Sequence, residues 1–308
     1  MKVAIFGGTG FVGNYLVSEL LDNGYQVNAL IRPGSEHKLS QIKECNVING
    51  CIEDENAVEE VIKVSDVVIY NIGIIREFKS QGITYQKLHF DYTKLIIDQA
   101  KKYNIEHFIL MSANGVKNQG TGYQSTKYLG EKYLKNSGLN YTIFRPSLIF
   151  GKPYDDQEFC SQLRDIMLNL PIPAPLFFEG VNFFNAGKFS MSPIHVENVA
   201  YFFSNSVLNN QHYMKTYHLG GIDNFNWKKI IQTIVQSLNK NKWMLPTPIT
   251  PVKILAILFD RFSFFPITRD QITMLLEGNT CDSKNLFKIF NINPILFNTK
   301  SLSYLNNK

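Results

Sequence analysis

Three glycines, spaced Gly7-x-x-Gly10-x-x-Gly13, interrupt the chain directly after the apolar run Val3-Ala4-Ile5-Phe6. A helix-periodic segment follows at once, with Val12, Leu16, Val17, Leu20 and Leu21 on its apolar positions. Strand, tight turn and helix in that order confine the N-terminal region to a βαβ unit. Gly7 permits the turn, Gly10 lets the main chain approach a pyrophosphate, and Gly13 lets the helix pack close to the strand. Free N–H groups at the helix start add a positive dipole end for phosphate. The spacing therefore predicts a dinucleotide site on Gly7, Thr9, Gly10, Phe11, Val12 and Gly13.

The same alternation continues downstream. Apolar runs predict strands at 2–6, 26–31, 46–49, 66–71, 107–111 and 141–145, and amphipathic stretches predict helices at 12–23, 35–44, 55–63, 84–103 and 124–137. This pattern specifies an α/β fold, a Rossmann-type doubly wound parallel sheet, with its ligand beyond the carboxyl ends of the strands. After Arg145-Pro146 the pattern breaks up. Residues 1–150, joined by 190–222, are expected to form the nucleotide core. Residues 151–189 and 223–308 are expected to form a smaller, mostly helical lobe that closes over the cofactor.

Composition removes several function classes. A net charge of +5 without a basic block disfavours nucleic acid. Cys45, Cys51, Cys160 and Cys281 are scattered, with no Cys-x-x-Cys pair, which argues against zinc and a disulfide framework. A reducing cytoplasm is the simplest compartment. The six histidines are dispersed, so no metal site is expected, and His195 is read as structural. No run reaches the ~18 apolar residues that span a bilayer.

Tyr123-Gln124-Ser125-Thr126-Lys127 follows the fifth strand and a loop that begins at Ser112. Residues four apart share a helix face. The Lys127 ammonium is expected to stabilise tyrosinate and lower a phenol pKa that starts near 10, making Tyr123 a general acid or base. Lys127 is also expected to hold the ribose hydroxyls. The second strand ends in Arg32 rather than the carboxylate that accepts from a ribose 2′-OH. Arg32 suits a 2′-phosphate, with Ser35, His37 and Lys38 behind it, so NADP(H) is favoured over NAD(H). Asn71, Ile72 and Gly73 at the fourth strand's end are placed on the pyrophosphate and ribose. Met111 and Ser112 are placed at the fifth strand's end, and Pro146 and Ser147 beside the nicotinamide.

These motifs resemble the short-chain dehydrogenases/reductases of the extended or atypical kind, over residues from Gly7 to about Ala200. Ile72-Gly73-Ile74-Ile75-Arg76-Glu77, Leu88-His89, Leu110-Met111-Ser112-Ala113, the segment from Ile143 to Gly151 and the segment from Pro193 to Ala200 resemble a narrower group. That group contains bacterial relatives of the NADPH-binding accessory subunit of respiratory complex I. The resemblance implies the fold and the cofactor, and it implies Tyr123, Lys127 and Ser112 as catalytic residues. It also places Cys51 where relatives often carry Asp near the adenine, leaving those contacts to the main chain around Ile52. Two departures stand out: Ala113 or Asn114 falls where the family's catalytic hydroxyl usually lies, and His89 stands where many members carry Asn.

Three functions compete. The first is an NADP(H)-dependent oxidoreductase acting on an unknown carbonyl or conjugated substrate. The second is a non-catalytic NADP(H)-binding subunit or assembly factor, peripheral to a membrane electron-transfer complex. The third, a nucleotide-sugar epimerase or dehydratase with tightly held NAD, is disfavoured by Arg32. The apolar stretch 252–265 is read as a buried wall over the cofactor in preference to an interfacial helix. Thr268-Arg269-Asp270-Gln271 is placed at that wall's edge. Phe177, Phe178, Phe183, Phe184 and Phe189 are read as lobe core, and Asn198 as the cap of the helix at Val199-Ala200.

Overall fold

The computed structural model describes residues 1–154, 158–259 and 267–306. Six strands follow the apolar runs: β1 (Lys2–Phe6), β2 (Gln26–Ile31), β3 (Asn46–Asn49), β4 (Val67–Tyr70), β5 (His107–Met111) and β6 (Tyr141–Pro146). Short strands follow: β7 (Ile149–Phe150), β8 (Ala174–Phe178), β9 (Ser190–Met191) and β10 (Ile194–His195). Then come β11 (Lys215–Leu219), β12 (Phe225–Asn226) and β13 (Met244–Pro248). The main sheet has seven strands in the order β11-β6-β5-β4-β1-β2-β3, every neighbour parallel.

The helices are α1 (Phe11–Asp22), α2 (Glu55–Ile62), α3 (Tyr92–Lys102), α4 (Gly122–Lys135) and α5 (Phe159–Leu163). They continue with α6 (Val196–Ser204), α7 (Trp227–Ser237), α8 (Ile249–Phe259), α9 (Arg269–Glu277) and α10 (Lys284–Ile289). The central strands are apolar on both faces because both are covered. Leu16, Val17, Leu20, Phe202 and Phe203 bury one face, and Val58, Val61, Ile96, Ile97 and Leu134 the other. The strand order reverses at the β1–β4 boundary, which opens a crevice at their carboxyl ends. Among the described residues no helix is long and apolar enough to cross a membrane.

Five local expectations change. Residues 35–44 form two 3₁₀ turns, Glu36–Lys38 and Ile42–Glu44, not one helix. The side chain of Asn14 causes the break: its amide donates to Lys38 O (3.0 Å), and its carbonyl accepts from Ser40 N (2.9 Å). The cap of α6 is His195, whose ring accepts from Glu197 N, while Asn198 donates to Asn293 O and accepts from Ile295 N. Leu286, Phe287 and Phe290 pack in the sheet core with Phe202, so α10 joins the nucleotide half and not the lobe. In α8 only Ile249 and Ala256 are buried, and Ile254, Leu255, Ile257 and Leu258 face outward. Residues 260–265 of the expected wall lie outside the described residues. Phe183 and Phe184, expected in the core, are exposed and stack on each other.

Candidate functional site

The glycine turn is built to the limit of its space. Gly7 has φ +92°, and a Cβ on it would lie 3.0 Å from both the Asn71 carbonyl carbon and Ile72 Cγ1. A Cβ on Gly13 would lie 2.1 Å from Gly7 O and 2.7 Å from Gly8. No side chain larger than hydrogen fits there, and α1 packs hard on the turn for that reason. Asn71 ties the two strand ends together: its N–H donates to Phe6 O (2.9 Å) and its side-chain amide to Gly7 O (3.3 Å). Gly10 caps α1 without a side-chain hydrogen bond, whereas α4 and α9 carry the threonine caps Thr121 and Thr268. The first N–H groups of α1, around Phe11, Val12 and Gly13, thus suit an anionic pyrophosphate.

The residues expected on the adenosine lie at the ends of β2 and β3. Phe6 pairs with Leu30, so Arg32 stands two residues further on, level with Gly8, and is exposed. Ser35 N donates to Arg32 O, and Ser35 and Lys38 are half-buried in the same loop. Gly50 N donates to Ile31 O, which carries half-buried Cys51 and buried Ile52 past the end of β3, beside this loop.

Tyr123 and Lys127 lie in the first two turns of α4. Lys127 Nζ donates to Met111 O at 3.0 Å, and a Cβ on Gly73 would stand 3.1 Å from it. Gly73 is what lets the main chain pass over the amine. Burial lowers the Lys127 pKa to about 8, against a raising contribution from Glu131. The half-buried Tyr123 ring meets His89 edge to face at 5.1 Å and Tyr85 at 5.8 Å, while Tyr85 and His89 stack on each other. Burial pushes the Tyr123 phenol up to about 12. The expected lowering by Lys127 is absent because the amine is directed at Met111 and Gly73, and desolvation of the ring dominates.

His89 sits on a π-helical turn (Gln86–Asp91) that leads into α3. Its Nε2 accepts from Ile74 N at 3.1 Å, so Nδ1 carries the proton and donates to Thr126 Oγ1 at 3.2 Å. Thr126 in turn donates to Gly122 O. Burial, then the Lys127 charge, pushes the imidazole down to about 2, so it stays neutral. His89 therefore fixes the Ile74 loop, the α4 start and the Tyr123 ring together. The sequence marked it only as a departure from Asn.

Ser112 is directed elsewhere. Its hydroxyl donates to Glu131 Oε1 at 2.5 Å, and Arg145 makes a bidentate pair with the same carboxylate, at 2.8 and 2.6 Å. Glu131 lies one turn beyond Lys127 on the same buried face of α4. That four-residue spacing from Lys127 could have flagged Glu131 from sequence, though not its partner Arg145. Ala113 is buried beside it, and Asn114 faces the C-terminal region. The Asn114 amide donates to Asn279 Oδ1 (2.8 Å) and Thr280 O (3.1 Å), and its carbonyl oxygen lies 2.7 Å from His218 Nδ1. Pro146 O accepts from Asn114 N, and Ser147 Oγ donates to Asn279 O at 2.6 Å. Gln124 and Lys117 both bond Glu277 at the end of α9. Asp270, at the start of α9, lies where a Cβ on Gly122 would meet it at 3.4 Å. The stretch 268–280 thus lies against the opening of α4, and it provides contacts that the sequence did not reveal.

Known proteins fit this geometry. A family described as NAD(P)H-binding matches residues 7–162. The mitochondrial NADH dehydrogenase [ubiquinone] 1 alpha subcomplex subunit 9 of Dictyostelium discoideum is 24% identical over 281 residues, covering 88% of this chain and 74% of that protein. The decarboxylating sterol-4-alpha-carboxylate 3-dehydrogenase of the same organism is 24% identical, with 85% and 86% covered. Among solved structures, UDP-glucuronic acid 4-epimerase from Bacillus cereus, in complex with UDP-glucuronic acid and NAD, superposes with a TM-score of 0.74 at 17% identity, covering 99% of this chain and 98% of that one. The relatives thus include both an oxidoreductase and a subunit of a respiratory complex. With its glycine turn, reversed strand order and matching family model, the chain belongs to the NAD(P)H-binding family and shares the Rossmann-type fold of that epimerase structure.

Proposed function

We propose that the chain is an NADP(H)-dependent oxidoreductase in which Tyr123 supplies the proton to a carbonyl or conjugated substrate. The observation that carries this reading is the cluster of half-buried Tyr123 with buried Lys127 and His89 at the carboxyl ends of β4 and β5. The bound nicotinamide supplies hydride chemistry. The phenol, held protonated by burial, is a donor at neutral pH. Lys127, with a pKa near 8, is a cation at pH 7 and is placed to hold ribose hydroxyls. Arg32 selects the 2′-phosphate, and the lobe of 151–189 and most of 223–308 carries the substrate or partner contacts.

A second reading, a non-catalytic NADP(H)-binding subunit peripheral to a membrane complex, is favoured by two observations. Ser112 is engaged by Glu131, and Ala113 occupies the neighbouring position. The similarity to the NADH dehydrogenase subunit points the same way. Single-turnover oxidation of bound NADPH with a panel of quinones and enones separates the two readings. Turnover lost in Tyr123→Phe supports the enzyme. Tight NADPH binding with no turnover on any acceptor supports the subunit. For the cofactor, a charge-assisted pair is worth roughly 1.5–3 kcal/mol, so NADPH should bind about ten-fold to a hundred-fold tighter than NADH. Equal affinities by calorimetry refute the role of Arg32.

A further inference from the structure

The apolar surface of this protein is concentrated on one side. Twelve of the twenty exposed large apolar residues among those described fall within 166–184 and 243–258. They sit on connected elements. β13 pairs in parallel with β8, and Trp243 O accepts from Ala174 N at the start of that pairing. Lys242 Nζ donates to Leu168 O and Leu170 O, which brings the exposed Ile166, Leu170 and Ile172 beside Trp243. At the other end, Gly187 N donates to Phe177 O, setting the 181–184 tip against β8, and Lys253 Nζ pairs with Glu179, setting α8 beside it. On that tip Val181 is 98% and Phe184 74% exposed, and Trp243 on the adjoining strand is 83% exposed.

Such a patch exceeds the scattered apolar residues of an ordinary surface. Of the exposed positions of α8, Thr250 and Pro251 lie in its first turn, and the rest (Ile254, Leu255, Ile257 and Leu258) are aliphatic. A protein-binding surface is on average only about as apolar as the rest of the molecule, with polar groups to match a partner. Charge supplies the second observation. Across 159–190 and 239–259, five cations (Arg164, Lys188, Lys240, Lys242 and Lys253) accompany two exposed carboxylates, Asp165 and Glu179. Each carboxylate is paired within the group, with Arg164 and Lys253. Lys188, Lys240 and Lys242 donate instead to amide and main-chain oxygens. An exposed Trp, two exposed Phe and an aliphatic helix, rimmed by lysines, match the chemistry of the bilayer interface.

We propose that this face rests on an anionic lipid surface. α8 and the 181–184 tip enter the headgroup boundary, Trp243 lies at headgroup level, and the lysines meet lipid phosphates. None of these residues is among those placed on the nucleotide, so the surface stands whether or not NADP(H) binds.

The test is co-sedimentation of the full chain with vesicles of phosphatidylcholine alone and of phosphatidylcholine mixed equally with phosphatidylglycerol. Binding is expected to the mixed vesicles and to weaken with salt. Lys188→Gln with Lys240→Gln should cost about five-fold in affinity per lysine. Leu255→Glu with Leu258→Glu should lower it by more than ~10-fold, because each buried methylene contributes. An unchanged thermal melt, expected for two exposed positions, shows that this variant is folded. Brominated lipid should quench Trp243 and spare the buried Trp227, these being the two tryptophans. No sedimentation with either vesicle, or equal sedimentation of the Leu→Glu pair, overturns the proposal. Self-association in solution abolished by the same pair also overturns it and assigns the face to a second copy of the chain.

Discussion

Replacing His89 by Gln tests whether the site's neutral imidazole is held as the structure implies. The buried ring has a pKa near 2 in the folded chain and about 6.5 when unfolded. Below pH 6.5 the unfolded chain therefore takes up a proton that the folded chain refuses, so stability falls as pH falls. Between pH 7 and pH 5 this one group costs about 2 kcal/mol. His107 and His195, lowered by burial to about 3 and about 4, add losses of the same sign. The wild-type slope alone therefore does not isolate His89. The Gln amide oxygen can still accept from Ile74 N but does not titrate. Urea midpoints for wild type and His89→Gln at pH 7, 6 and 5 give the difference. The variant is expected to be somewhat less stable at pH 7 and to close the gap by about 2 kcal/mol at pH 5. Parallel loss in both proteins would show that His89 protonates normally within the fold, and the assignment of Nε2 as acceptor would be wrong.

Other outcomes follow from named contacts. Tyr123→Phe should cut turnover by roughly 10²–10⁴-fold and leave NADPH affinity nearly unchanged, measured by single turnover and calorimetry; full activity refutes the acid role. NADPH affinity should decline above pH 8 as Lys127 loses its proton, and Lys127→Met should remove that pH dependence along with much of the affinity. Arg145→Met removes the guanidinium from buried Glu131 and leaves it the Ser112 hydrogen bond and the 3.7 Å Lys135 contact, and should destabilise by about 3 kcal/mol in urea titrations. Gly13→Ala cannot place a Cβ 2.1 Å from Gly7 O without moving α1, so it should abolish NADPH binding and lower the melting temperature. A wild-type calorimetric titration for this variant counts against the tight turn.

Five of the six leading strands were legible because each is a short apolar run buried on both faces, the edge strand β3 burying only Ile48, and the order of turn and helix implied their parallel pairing. That Tyr123 and Lys127 share the opening turns of one helix was legible through their four-residue spacing. What escaped depended on contacts remote in sequence. The 35–44 segment has helical periodicity, but the Asn14 amide, on a helix completed earlier, takes its main chain. The Tyr123 pKa moves up because the rings of Tyr85 and His89 replace water, which no spacing reveals. Outward-facing α8 escaped because an aliphatic helix reads the same whether it meets a core or a boundary with something apolar. Glu131 and Arg145 belong to different elements, and only the packing of α4 on β6 joins them.

Asn279 also constrains the order in which this protein can be made. Its main chain bonds Ser190 and Ser192, its carbonyl accepts from Ser147, and its side chain holds Asn114. The rim beside Asn114 and Ser147 is thus closed by a residue 165 positions after Asn114. On a ribosome adding roughly 5–20 residues per second, the sheet and its glycine turn are out on the order of ten seconds before that closing residue. A nascent chain has the means to hold the nucleotide's phosphates well before it has a finished chamber for the reactive ring. A nicotinamide dinucleotide present during synthesis would therefore meet an open half-site, and the residues after β11 would fold around an occupant already in place.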